Sequence, residues 1–134
     1  MISASMNNQR LDSIIRSKGE IHEGQPGYWR FAYRDRGVLV LTDESHDRMR
    51  IITPVVEVTE IGEEIWLLAL SANFDRALDA RYAINGDYLW SAFMHPLGVL
   101  TESQFDDALD QVVTLADNFG TSFSSTDLVF GSLD

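Results

Sequence analysis

The chain has 134 residues, 45% apolar and 23% charged, with no cysteine and a formal net charge of −11. That is the size and composition of one globular domain with an ordinary core. It excludes disulfides, thiolate metal sites and a cysteine nucleophile, and the acidity works against binding to phosphate backbones.

The charge is divided along the chain. Through Arg81 there are ten basic and thirteen acidic side chains, a net of −3; from Tyr82 onward there are none and eight, a net of −8. Nine of the ten basic residues are arginine, which suits fixed contacts with carboxylates and aromatic rings. No stretch approaches the roughly 18 apolar residues of a membrane-spanning helix. The first ten residues lack the basic start and apolar run of a signal peptide. The expectation is a single cytoplasmic domain over 1–134, with about 120–134 as a flexible or docked tail, no membrane contact and no nucleic-acid partner.

In chain order, Asn7 or Asn8 caps a first helix with Leu11, Ile14 and Ile15 on one face, stopped by Gly19. Glu20 to Gly27 reads as a polar loop with Pro26-Gly27 as its turn signal. Trp29, Phe31 and Tyr33 alternate with Arg30, Ala32 and Arg34, the period of a half-buried strand with an aromatic inner face. Asp35-Arg36-Gly37 turns the chain into a more apolar strand over Val38 to Leu41. After a polar turn at 42–47, Met49 to Val58 is a third β-rich segment. Pro54 demands an edge or a bulge within it, because proline cannot donate to a ladder.

Thr59 is placed to cap a second helix through Ile61, Ile65, Leu68, Ala69 and Ala72. Trp66, Leu67 and Leu70 carry apolar surface well around it, so it should be buried on two sides, either between the sheet and the other helices or with one side at a subunit interface. Asn85-Gly86 predicts a two-residue type I′ hairpin between 81–85 and 87–93, with Tyr82 and Ile84 as cross-strand neighbours of Tyr88 and Trp90. Pro96 and Gly98 break the chain. Thr101 and Gln104 form a capping box, and Phe105 to Phe119 keeps helical spacing up to Gly120. The tail carries Phe123, Leu128, Val129 and Phe130. The predicted fold is α+β in the order α-β-β-β-α-β-β-α, a twisted antiparallel sheet with helices mainly on one face.

Chemistry is sparse. Glu20-x-His22-Glu23 and Asp43-x-x-His46-Asp47 bring imidazole and carboxylates together but lack metal-site spacing. Ser45-His46-Asp47 holds the residue types of a hydrolytic triad, yet sequence neighbours rarely converge their side chains, and no GxSxG, Walker loop or GxGxxG is present. No catalytic residue, metal ligand or cofactor is assigned. Arg30 and Arg34, with Arg48 and Arg50, share parity opposite the aromatic face. They are expected to project from an open sheet face that could grip an acidic peptide or the acidic third helix of another copy. A small-ligand pocket near Tyr82, Trp90 and His95, serving a sensor or an enzyme, is the alternative.

The element order, with Ala72-Asn73-Phe74, Ala80-Arg81-Tyr82-Ala83-Ile84, Leu100-Thr101 and the helix Phe105 to Asp117, resembles the type III secretion chaperone-like superfamily. Within it the chain looks nearest to the YbjN-type proteins, described as bacterial sensory transduction regulators. The resemblance implies a homodimeric α+β domain that binds other proteins without catalysis. The Arg-bearing sheet face is not a motif that the resemblance carries over; on the residues alone, Trp66, Leu67 and Leu70 are the candidate dimer interface, and Arg30, Arg34, Arg48 and Arg50 the candidate partner-binding residues.

Overall fold

The computed structural model describes residues 5–126. Its centre is a six-stranded sheet of β1 (Ile21–Gln25), β2 (Tyr28–Tyr33), β3 (Arg36–Asp43), β4 (Arg48–Glu57), β5 (Arg81–Asn85) and β6 (Tyr88–Pro96). The spatial order is β1-β2-β3-β4-β6-β5, and all neighbours run antiparallel. The helices are α1 (Asn8–Arg16), α2 (Glu63–Asp75) and α3 (Glu102–Asp117), with a 3-10 turn over Val58–Glu60.

Strand periodicity sorts the side chains. Trp29, Phe31, Val38, Val40, Met49 and Ile51 all point to one face and are buried there. Leu11, Ile14 and Ile15 of α1 and the apolar stripe of α3, from Phe105 through Leu115, join the same core. Each such side chain contributes about 1.5–3 kcal/mol on leaving water. Trp29 is fully buried, so its indole N–H needs a partner; it donates to Asp12 Oδ1 on α1 at 2.9 Å. Arg16 donates to the other Asp12 oxygen at 2.9 Å. These two donors, Arg16 foremost, hold the Asp12 carboxyl below the ordinary carboxylate range.

The helix ends follow their capping chemistry. Asn7 accepts from the Arg10 N–H, and Thr101 with Gln104 makes the reciprocal capping box. Gly19 is fixed by close approach: a Cβ there would collide with the Ala32 carbonyl oxygen.

Several expectations are corrected. The segment read as a polar loop contains β1, an edge strand with a bulge between Ile21 and Glu23. Thr59 does not cap α2; it lies in the 3-10 turn, and Gly62 occupies the cap position without a side-chain bond. The β2–β3 turn, expected at Asp35-Arg36-Gly37, is centred on Arg34 (φ +50°) and Asp35 (φ +65°), because Tyr33 pairs with Arg36; two positive values are the type I′ pattern. The β5–β6 hairpin turns on Gly86-Asp87, since Asn85 already pairs with Tyr88. With Gly86 alone of the two at positive φ (+63°), it follows the II′ pattern. Tyr82 therefore faces Ser91 and Ile84 faces Leu89, while Tyr88 and Trp90 lie on the other side of the sheet, 6.0 Å apart along one strand.

Pro54 sits beyond Ile52, the last β4 residue paired with β3, and beside a bulge between Pro54 and Val56, so its missing donor is not needed there. Part of the tail docks. Phe123 packs edge-on to Tyr82 and Phe119, and Ser125 bonds to Arg76 and Leu78 across the α2–β5 connection. Leu128, Val129 and Phe130 lie outside the described residues.

Candidate protein-binding surfaces

α2 packs along the β5 edge of the sheet. Only Ala69 and Ala72 are buried on it, so small side chains bring the helix close to the body. The larger apolar residues face outward: Leu67 is 56% exposed, Leu70 65% and Phe74 83%, with Ile84 of β5 alongside at 54%. In this single chain the helix is covered on one side, where two were expected. Trp66 and Leu70 overhang a cavity of ≈ 270 Å³ floored by Tyr82 and Leu89. The Trp66 indole nitrogen is shut away from water with no hydrogen-bond partner among the described residues. Contiguous exposed apolar surface of this kind makes α2 a candidate interaction site.

The same region closes one sheet edge. Asn73 on α2 accepts the Tyr82 N–H at 2.8 Å and donates to the Tyr82 carbonyl at 3.0 Å. It presents to β5 what the peptide group of a neighbouring strand would, and so denies that position to an incoming strand. Gln111, buried in α3, secures the connection ahead of β5 by accepting from the Asp79 and Ala80 N–H groups at 2.9 and 3.2 Å. The Tyr82 hydroxyl donates to the Leu115 carbonyl at 2.8 Å, and burial raises its pKa.

The predicted arginines are split by the fold. Arg30, Arg48 and Arg50 are exposed on the sheet face away from α1 and α3. Arg34 is not with them. Its positive φ in the turn swings the guanidinium to the helical side, where it donates to Thr114 Oγ1 at 3.1 Å and lies 3.6 and 3.7 Å from Asp110 and Asp117. Beside it Arg36 pairs with Asp117 at 2.9 Å, and the Tyr33 hydroxyl donates to Asp110 at 2.6 Å. Burial, reinforced by that carboxylate, pushes the Tyr33 phenol up to about 12.

Tyr82, Trp90 and His95 are not brought together. Tyr82 floors the α2 cavity, Trp90 lines a depression on the open sheet face, and His95 stacks on Phe93 at a third site. Ser45, His46 and Asp47 do not converge either. Ser45 Oγ and His46 Nδ1 both contact Asp43, at 2.7 and 2.8 Å, which closes the β3–β4 turn. The Ser45 hydroxyl, the largest influence, and His46 hold the Asp43 carboxyl at about 2. Asp47 instead accepts from Gly98 N at 2.7 Å. Among the described residues no three His, Asp or Glu side chains gather as a metal site would need, and no helix is long and apolar enough to cross a membrane.

No family model matches the chain, and no curated protein does. Solved structures do. A chain in the crystal structure of the ExsC–ExsE complex aligns over 84% of this chain and 92% of its own length, at TM-score 0.59 and 16% identity. A chain of the HopA1–SchA chaperone–effector complex aligns over 81% and 88%, at 0.60 and 13%. The fold is that of the type III secretion chaperones. A third example is the Yersinia pestis type III secretion chaperone SycH in complex with a stable fragment of YscM2, aligned over 84% of this chain and 98% of that one, at 0.61 and 14%. These identities establish shared architecture alone.

Proposed function

We propose that this chain is a non-enzymatic protein-binding module, chaperone-like or regulatory, that works in the cytoplasm as a homodimer and holds a partner protein. The observation that carries it is the outward apolar face of α2, with Leu67, Leu70 and Phe74 more than half exposed. A C2 interface needs one self-complementary patch. α2 offers projecting side chains and, beside Trp66, an apolar cavity that could receive them. The shared fold supports the partner-holding role, because the solved examples are complexes in which a chaperone-type chain is bound to another protein. Within the superfamily we place the chain nearest the YbjN-type regulators, on the motifs Ala72-Asn73-Phe74 and Ala80 to Ile84.

Sedimentation equilibrium tests the interface. The wild type should have twice the 15.1 kDa chain mass. Leu70→Glu should return it to the monomer, because it buries a charge at the centre of the contact. A wild type that stays monomeric at 100 μM, or a Leu70→Glu variant that stays dimeric, refutes the α2 interface.

A further inference from the structure

The basic side chains of this acidic protein are used unequally. On the helical side, Arg16, Lys18, Arg34 and Arg36 are each within ion-pair distance of an aspartate. On the open sheet face, Arg30, Arg48 and Arg50 have no ion pair among the described residues, although acids outnumber bases 21 to 10. Nearby carboxylates do not reach them. Glu23 is directly across from Arg30 and makes no contact within pairing distance, and Asp43, across from Arg48, is taken up by Ser45 and His46.

These arginines stand in an apolar field. Register places Tyr28, Leu41, Arg50 and Met94 in one cross-strand row, and Arg30, Leu39, Ile52 and Ala92 in the next. Met94 is 53% exposed, and among the described residues no helix covers this side of the sheet. Between β4, β6 and β5 lies a depression of ≈ 280 Å³ lined by Ile52, Trp90 and Met94, with Arg50 on its rim. Arg48 and Arg50 are two residues apart on one strand, so their stems rise about 7 Å from each other. That spacing matches two carboxylates at positions i and i+2 of an extended chain.

We propose that the open face of the sheet binds an extended acidic segment of the partner protein. Carboxylates two residues apart meet Arg48 and Arg50, Arg30 takes a further acid, and a neighbouring apolar side chain fills the depression beside Trp90. Guanidinium groups suit this role through paired donation to carboxylates. The chain's net charge of −11 disfavours nucleic acid as the occupant. The inference rests on the protein-binding function proposed above and does not depend on the α2 dimer.

The probe is a fluorescein-labelled dodecapeptide, Glu-Ser-Glu-Ser-Leu-Ser repeated twice, which puts its acids and leucines on one face when extended. Binding is read by anisotropy at 50 and 300 mM NaCl. The wild type should bind it, more weakly at the higher salt. The double variant Arg48→Gln/Arg50→Gln should bind about tenfold or more weakly. Replacing the peptide leucines by serine should cost about fivefold or more, and replacing its glutamates by lysine should abolish binding. Circular dichroism and melting of the double variant confirm that the fold is kept, and Arg50→Gln alone serves if it is not. No binding by the wild type, equal binding by a folded arginine variant, or equal binding of the lysine peptide overturns the proposal. Tighter binding of a 20-nucleotide single strand through the same arginines also overturns it. Leu70→Glu should bind the peptide like the wild type, so failure at this face and failure at α2 are read separately.

Discussion

Asn73 holds the β5 edge with a single amide, and its removal has a calculable cost. The side chain accepts from Tyr82 N at 2.8 Å and donates to Tyr82 O at 3.0 Å. Tyr82 is 4% exposed, so water does not easily replace either bond. Leaving a buried backbone donor or acceptor unmade costs about 1–3 kcal/mol each. Asn73→Leu should therefore destabilise by about 2–4 kcal/mol, lowering the melting temperature of a domain this size by roughly 10 °C. It also bares the β5 edge beside exposed Ile84 and Phe74, so light scattering should show concentration-dependent association beyond the wild type.

Asn73→Asp separates the two bonds. Its carboxylate still accepts from the Tyr82 N–H but turns a second oxygen towards the Tyr82 carbonyl, which favours the protonated form and raises the folded-state pKa. A group raised on folding contributes its stability below its unfolded value, about 3.9 for aspartate, and loses it as pH rises through the folded value. The Asn73→Asp deficit, measured by urea unfolding, should thus be large at pH 7 and shrink towards pH 4. Asn73→Leu within 0.5 kcal/mol of the wild type, or an Asn73→Asp deficit independent of pH, would refute this account.

Two further outcomes follow from local geometry. Gly19→Ala drives a Cβ into the Ala32 carbonyl oxygen, and neither group is the flexible end of a side chain; it should cost about 2 kcal/mol or more by denaturant unfolding, and a neutral result would show that the α1–β1 connection gives way freely. Asp12 has its carboxyl lowered by Arg16 and then Trp29, so its stabilisation is complete above the ordinary carboxylate pKa of about 4 and is lost as pH falls through the lower folded value. The stability gap between the wild type and Asp12→Asn, of order 0.5 kcal/mol for so exposed a pair, should be steady near neutral pH and narrow as pH falls below the ordinary carboxylate value; a constant gap would assign it to packing.

Elements with a strong local cause were legible in the sequence. Thr101 and Gln104 announce the start of α3, and the Trp29–Phe31–Tyr33 alternation announces the inner face of β2. β1 was not, because Ile21-His-Glu-Gly-Gln25 has one apolar residue and no alternation; it is a strand because β2 offers an unpaired edge, a fact supplied by another part of the chain. The hairpin register failed for a related reason. Asn-Gly favours a type I′ turn in isolation, but burying Tyr82 against Leu115 and Phe119 fixes the pairing one residue further on. Of the candidate site residues, parity was enough for Arg30, Arg48 and Arg50, which lie within strands. It failed for Arg34, which begins the turn.

The misplacement of Arg34 explains the charge division of the chain. The −8 half includes α3, and α3 is where the basic half comes back to pair. Lys18 from beyond α1 reaches Asp106 at 2.6 Å, and the β2–β3 turn delivers Tyr33, Arg34 and Arg36 to Asp110 and Asp117. Asp107 is held by the Gln111 amide at 2.8 Å. An acidic third helix offered to another copy would have to break these contacts first, since most of its aspartates already have partners within the chain. The complementary half of that expectation survives in a different form. Once α3 has taken its share of the basic side chains, Arg30, Arg48 and Arg50 remain on the far side of the sheet, with no ion pair among the described residues. The proposed acidic segment of a partner would supply their carboxylates, and α3 of a second copy is poorly placed to do so.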